Sequence, residues 1–240
     1  LKKNKIILGD SLKLGSSPAQ KTSKGFKRRG KPLNGWSKED KNIGKEFENW
    51  TYNWSSKAFP KLKDGSFAFV FSSRRYLHHV INAFEKSGFI LKDIVIWKKK
   101  NAQYRAQAIS KVLEKRGMIK EAEKWKSWRL GNLMPIQEPI AWFFKPYKIG
   151  TTITDNVLKN ETGAFNGCLE NKAPSNLLEY GLDKNRIHET QKPLELIKYL
   201  IQLTTITGQT ILDPFSGSGT TAVACQELKR NFICFEKYCY

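Results

Sequence analysis

An α/β fold, a mostly parallel sheet with helices on both faces, is predicted by three observations. Short apolar runs near residues 6, 67, 91, 140, 210 and 232 alternate with stretches of helical length. Near the C-terminal end, Thr210-Ile211-Leu212 meets Asp213, turns on Gly217-Ser218-Gly219 and opens a helix, the geometry of a nucleotide-type cofactor site. The 240 residues suffice for one full core with an inserted subregion.

The elements follow in order. Lys5-Ile6-Ile7-Leu8 reads as a short strand entering a Gly9-Asp10 turn. Residues 15–45 are rich in Gly, Ser and Lys and nearly free of aliphatic residues, which predicts a mobile loop. From 46 to 59, Phe47, Trp50, Trp54 and Ala58 recur close to helical spacing and predict a core-facing helix. Asp64-Gly65 is a turn into Ser66-Phe67-Ala68-Phe69-Val70-Phe71, whose continuous apolar run suits a buried parallel strand. A helix is expected from about 74 to 86, ended by Gly88, and a strand from 91 to 97.

Residues 98–131 carry eleven Lys and Arg side chains, from Lys98 to Arg129, with Trp125 and Trp128 on a predicted helix. Pro139 to Phe144 returns to strand, and 150–187 is polar with weak periodicity. The domain reading is therefore 1–97 as one half of the main domain, 98–187 as an insert with a connecting strand, and 188–240 as the cofactor half.

With 42 Lys and Arg against 22 Asp and Glu, the net charge of +20 points to a polyanionic partner. Nucleic acid is favoured over a membrane surface, because no apolar stretch approaches spanning length and no signal-like start is visible. Cys168, Cys225, Cys234 and Cys239 form no C-x-x-C pair and read as free thiols in a reducing cytosol, and the three His are too few for a histidine metal site. No metal and a cytoplasmic location are the expectations.

Gly217-Ser218-Gly219-Thr220-Thr221-Ala222 fits G-x-G-x-x-G/A, so a dinucleotide is one possible ligand; a P-loop is excluded because no Lys precedes the Ser/Thr. Asp213 at the mouth of the loop favours S-adenosylmethionine. A pyrophosphate should avoid a fixed carboxylate, whereas the methyl donor carries an ammonium and a sulfonium. The strand Asn231 to Glu236 ends in an acid placed to accept two ribose hydroxyls, which fits either ligand.

Asp213-Pro214-Phe215-Ser216-Gly217-Ser218-Gly219-Thr220-Thr221 resembles the cofactor loop of the amino-methylating DNA methyltransferases, and His188-Glu189-Thr190-Gln191-Lys192-Pro193 resembles the segment that precedes it in that family. The order, with the cofactor loop last, is similar to the beta-type circular arrangement of a Rossmann-like S-adenosylmethionine-dependent fold. The resemblance implies a cofactor site made of Asp10, Thr190, Gln191, Lys192, Pro193, Asp213, Phe215, Gly217, Ser218, Gly219, Thr220, Thr221 and Glu236. It also implies methyl transfer to an exocyclic amine of a flipped base, adenine N6 ahead of cytosine N4. Double-stranded DNA is the implied partner, with a restriction endonuclease as a possible counterpart and a monomer or homodimer as the assembly.

The family polarises that amine with a (Asp/Asn/Ser)-Pro-Pro-(Tyr/Phe) tetrapeptide, yet this sequence contains no Pro-Pro. A strand ending near Asp10 needs a crossover of about a dozen residues before a parallel neighbour. Here the helix starting at Ser11 stops after one turn, so a helix and the catalytic strand are expected to be missing between about Leu14 and Gly15. No catalytic residue is assigned, and a DNA-binding homologue without activity is the alternative. For DNA contact the candidates are Lys27, Arg28 and Arg29 in the loop, Arg74 and Arg75 after a strand end, and Trp125, Lys126 and Trp128 in the insert. Lys98-Lys99-Lys100 is a further basic run of the same kind.

Overall fold

A computed structural model describes residues 5–8, 38–102, 106–131, 133–169, 171–183 and 191–236. The chain begins with β1 (Lys5–Leu8), followed by α1 (Lys38–Ala58), a 3-10 turn (Phe59–Lys61), β2 (Phe67–Phe71), α2 (Leu77–Lys86) and β3 (Ile90–Lys99). The insert holds β4 (Gln107–Ala108), α3 (Ile109–Glu114), α4 (Ile119–Lys124) and β5 (Arg129–Leu130). Then come β6 (Gln137–Phe144), α5 (Ile153–Asn160), β7 (Leu177–Tyr180), α6 (Leu194–Thr204), β8 (Thr210–Asp213), α7 (Thr220–Glu227) and β9 (Asn231–Glu236).

All six strands expected from the apolar runs form. Several boundaries differ. The helix α1 begins at Lys38, so the end of the predicted 15–45 loop is helical, while α2 starts at Leu77 because residues 74–76 close a turn through Tyr76 N–H to Ser73 O, 3.0 Å. The basic stretch 98–131 is two short helices on a two-stranded ribbon rather than one helix, and the polar stretch 150–187 contains α5 and β7.

The strands form two main sheets. In order β1–β9–β8, the first is parallel throughout, pairing Lys5 with Ile233 and Thr210 with Asn231. The second runs β2–β6–β3–β7; β7 is parallel to β3, while β6 is antiparallel to both neighbours. That reversal has a local cause. The insert leaves β3 and re-enters at β6 beside it, with Lys98 opposite Gln137, so the chain returns as a long hairpin instead of crossing over.

Helix α6 joins the two sheets. Leu196, Leu200 and Leu203 pack with Val95, Trp97, Ile140 and Leu178 of the second sheet, while Ile197 and Ile201 on the neighbouring stripe pack with Phe232 and Cys234 of the first and with Ala222 and Cys225 of α7. Burying such large apolar side chains contributes about 1.5–3 kcal/mol each. Phe71 at the end of β2 touches both clusters, and Ile211 of β8 touches the second of them. Among the described residues, β8 and β2 each have a strand on one side only.

On the opposite flank, α1 packs Trp54 with Val80, Phe84 and Phe143. Its buried hydroxyls are satisfied within the helix pair: Thr51 Oγ1 donates to Phe47 O at 2.8 Å, and Ser55 Oγ lies 2.6 Å from Ser87 Oγ.

Candidate functional site

β8 ends at Asp213 because the parallel pairing with β9 stops there and the chain must turn over the end of the sheet. Gly217 (φ 54°) and Gly219 (φ 80°) take left-handed conformations that make the turn tight enough to start α7 at Thr220. Ser216 N–H donates to Phe235 O at 2.8 Å, which ties the loop to β9, and Gly219 N–H donates back to Ser216 O at 2.9 Å.

Both predicted carboxylates sit at this loop. Asp213 accepts from Thr221 Oγ1 at 2.5 Å and from Phe215 N–H at 3.0 Å. Glu236, 23 residues on, accepts from Gly217 N–H at 2.6 Å. Burial pushes the Asp213 carboxyl above the usual aspartate range; the bonds from Thr221 and Phe215 oppose this, and the nearby Glu236 carboxylate adds to it. A cationic ligand relieves that strain between two acids, and a pyrophosphate aggravates it. Ser216 Oγ is buried with no hydrogen-bond partner among the described residues, a further polar group for a ligand to satisfy. Carboxylates, glycine turn and orphaned hydroxyl together fit S-adenosylmethionine. Burial also pushes the Cys225 and Cys234 thiols beneath the loop to about 12, so they remain neutral thiols there. Cys225, Cys234 and the exposed Cys168 are free.

The structure brings Asp213, Phe215, Gly217, Ser218, Gly219, Thr220, Thr221 and Glu236 together, with Ser218 Oγ 3.2 Å from Thr220 Oγ1. Gln191, Lys192 and Pro193 stand at the entry to α6, where Leu194 N–H donates to Asp183 at 3.2 Å. Lys192 has an unforeseen partner: its Nζ lies 2.6 Å from Glu138 Oε1, with the Phe71 and Trp97 rings 5.2 and 5.9 Å away. Lys99 takes the other oxygen of Glu138 at 3.0 Å. Burial raises the Glu138 carboxyl, but the two lysines outweigh it and hold the group below the usual range. Asp10 and Thr190, like Lys27, Arg28 and Arg29, lie outside the described residues.

Phe215 is 47% exposed, and sequence reasoning missed that it meets α1, with ring centroids 5.4 Å from Trp50 and 5.1 Å from Trp54. Arg74 and Arg75 are exposed in the turn after β2, Arg75 lying 5.8 Å from the Tyr76 ring. In the insert, Trp125 and Trp128 meet edge to face at 5.4 Å; Trp128 is 62% exposed, and Lys126 is paired with Glu123 at 3.1 Å. Among the described residues, no group of three or more His, Cys, Asp or Glu could hold a metal ion, and no helix is long and apolar enough to cross a membrane.

Comparison with known proteins agrees with this geometry. The family model for N6/N4 DNA methylases matches residues 16–239. The type II methyltransferase M.HindIII of Haemophilus influenzae is 48% identical over 236 residues, covering 93% of this chain and 75% of that protein. M2.MboI of Moraxella bovis, also a type II methyltransferase, is 26% identical over 234 residues, covering 97% and 72%. Among solved structures, the PvuII cytosine-N4-specific DNA methyltransferase superposes with a TM-score of 0.61 at 17% identity, covering 99% of this chain and 83% of that one. The M1.HpyAVI complex with S-adenosylmethionine gives 0.57 at 21%, covering 98% and 92%. At those identities the structures show the shared Rossmann-like fold. The family match and the 48% relative go further, and on them the chain belongs to the beta-type N6/N4 DNA methylases, which take S-adenosylmethionine as methyl donor.

Proposed function

We propose that this chain is a site-specific DNA methyltransferase that moves a methyl group to the exocyclic amine of a flipped base, adenine N6 ahead of cytosine N4. The observation that carries the reading is the pairing of two carboxylates, Asp213 and Glu236, across a glycine loop in a chain of this family. Bound S-adenosylmethionine supplies a methyl group on a sulfonium. Around it, Asp213 holds the donor's positive charge, Glu236 gives up Gly217 N–H to accept ribose hydroxyls, and Ser216 Oγ gains a partner. Asp10 and Thr190 complete the donor site. Gln191, Lys192 and Pro193 set the start of α6, Lys192 acting through Glu138. The preference for adenine follows the family's commoner target.

Transfer also requires the amine to be polarised, and that is the task of the missing Pro-Pro tetrapeptide. We infer that its strand and a preceding helix belong between about Leu14 and Gly15. Two features support this: the single turn of helical sequence, from Ser11 to Leu14, that follows the first strand, and the one-sided pairing of β8 and β2 among the described residues, although Ile211 and Phe71 reach the same core cluster. The absent tetrapeptide is also what favours the second reading, a DNA-binding homologue without activity. The partner is double-stranded DNA, with a restriction endonuclease as counterpart as for type II enzymes, a cytoplasmic setting, and a monomer or homodimer as the acting species.

Sequencing the gene without interruption across Leu14 and Gly15, and assaying its product for transfer of a labelled methyl group to duplex DNA, tests both readings. Activity is expected from a product with the inserted segment. An uninterrupted gene lacking it, with no transfer, establishes the inactive homologue.

A further inference from the structure

Helix α1 packs on the second sheet, yet it reaches the cofactor loop that follows β8 of the first. Phe47, Trp50 and Trp54 lie on one stripe of the helix, three and four residues apart. Trp54 is buried with Val80, Phe84 and Phe143, in a cluster to which no described residue of the first sheet contributes. Trp50, one turn earlier, is half-buried and stacks on Phe47 with ring centroids 6.0 Å apart. Both indoles meet the Phe215 ring, at 5.4 and 5.1 Å, and among the described residues these are its ring contacts. Packing alone favours a simpler side chain than Trp at position 50. Its Nε1–H is buried with no hydrogen-bond partner among the described residues, a cost that Phe or Leu would not incur. What the large ring supplies is reach to Phe215.

Phe215 is in turn bonded to the acid at the head of the loop. Its N–H donates to Asp213 Oδ1 at 3.0 Å, while the next N–H, of Ser216, donates to Phe235 O at 2.8 Å. The loop is therefore held from two sides, by β9 through the Ser216 backbone and by α1 through the Phe215 ring. We propose that Trp50 is a positioning residue of the methyl-donor site: by holding the Phe215 ring it fixes the Phe215 N–H, and with it the Asp213 carboxylate, where the donor's positive charge is received. The proposal rests on the assignment of Asp213 to S-adenosylmethionine. An aromatic ring pinned in one rotamer leaves its backbone little freedom, whereas a ring 47% exposed and without the indoles can turn and carry the N–H off the acid. Burial raises the Asp213 carboxyl, the Thr221 and Phe215 bonds lower it, and Glu236 raises it; Cys225 of α7 and Cys234 of β9 also face it as neutral thiols. A weakened Phe215 bond therefore raises the carboxyl further.

Calorimetric titration of S-adenosylmethionine into the whole chain across pH, with the melting temperature of each variant, is the test. Trp50→Leu should weaken the donor about tenfold at neutral pH, the scale of one hydrogen bond to a charged group, and move the rise in affinity to higher pH. Trp50→Phe keeps a ring and should bind within about threefold of the parent. Phe59→Leu removes a ring from the same cluster, where it meets Phe89; it should lower the melting temperature and leave donor affinity and its pH dependence unchanged. Phe215→Leu should match the loss from Trp50→Leu, and the double variant should lose no more than either alone. Unchanged affinity in Trp50→Leu, additive losses in the double variant, or an equal loss from Phe59→Leu would overturn the proposal. A parent chain that binds no S-adenosylmethionine would overturn the donor-site reading itself, an outcome distinct from a Trp50 without effect on a site that binds.

Discussion

The cofactor loop and the insert are built in opposite ways. Residues 213–221 are held by two parallel strands and a helix, and every polar contact of Asp213 and Glu236 described above lies within that unit. The insert has two-residue strands, six-residue helices and, among its described residues, one buried apolar residue, Ala122, while Met118, Ile119, Trp128, Leu130 and Leu133 are all exposed. The first region concentrates negative charge in a rigid, partly desolvated loop. The second spreads positive charge and aromatic surface over a lightly packed excursion. On the proposed function, one holds a small cation in fixed geometry and the other meets a large polyanion whose charges are regularly spaced.

The largest test of this contrast is Asp213→Ala. It should weaken S-adenosylmethionine binding by about a hundredfold or more, since a hydrogen-bonded charge partner is lost, and leave duplex affinity nearly unchanged. Equal losses for both ligands would mean that the regions are not separable. Next comes Glu138→Gln, which leaves Lys192 and Lys99 without their carboxylate. Because these side chains are about one-fifth exposed, the loss of stability should be about 1–3 kcal/mol, below that for a fully buried pair. Its pH dependence is also fixed in sign. The Glu138 carboxyl is lowered on folding, so its contribution is present above the ordinary glutamate value of 4.5 and disappears as pH falls through the lower folded value. Denaturation midpoints of parent and variant should therefore converge in acid.

On the insert side, Trp128→Ala should cost about 1–2 kcal/mol of DNA affinity through lost stacking, with little change in melting temperature because the ring is mostly exposed. A melting temperature that falls while DNA affinity holds would make Trp128 a packing residue. Thr221→Val removes one bond to Asp213 and should weaken the methyl donor about fivefold to tenfold by titration. The smallest effect expected in the described residues is from Arg74→Ala, a few tenths of a kcal/mol in duplex binding at low salt, vanishing at high salt. In the loop outside them, replacing Lys27, Arg28 and Arg29 together by Ala should flatten the salt slope, and an unaltered slope would assign that loop to solvent.

The same contrast decides what could be read in the sequence. Strands β2, β8 and β9 announce themselves as continuous apolar runs, and Asp213 and Glu236 because each ends such a run; the run at β2 misleads on its setting, since that strand is half-buried and antiparallel to β6 rather than a buried parallel strand. Strand β7 gives no such sign: Leu178 alone is buried, Leu177 is 56% exposed, and its pairing with β3 depends on a strand 81 residues distant. The charged insert has helical composition throughout, but Gly117, at φ 73°, and Ser127, at φ 70°, break it into short pieces. Glu138 was invisible because Lys192 is 54 residues away and a lone acid opening a strand has no local pattern. Lys98 and Lys99 read as phosphate ligands for the same reason: a run of lysines shows its charge, and the acids that neutralise it become evident only when strands pair.

The central claim, that the loop after β8 is a methyl-donor site governed by Asp213, is tested most directly by calorimetric titration of S-adenosylmethionine into the parent chain and Asp213→Asn across pH. The free Asp213 carboxyl is raised by burial, and binding a cation favours its ionised form, so affinity should increase as pH rises through that raised value, with proton release on binding below it. The Asn variant should bind weakly at every pH and show no such dependence. Donor affinity that is the same in parent and variant, or preferential binding of a nicotinamide dinucleotide, would contradict the assignment.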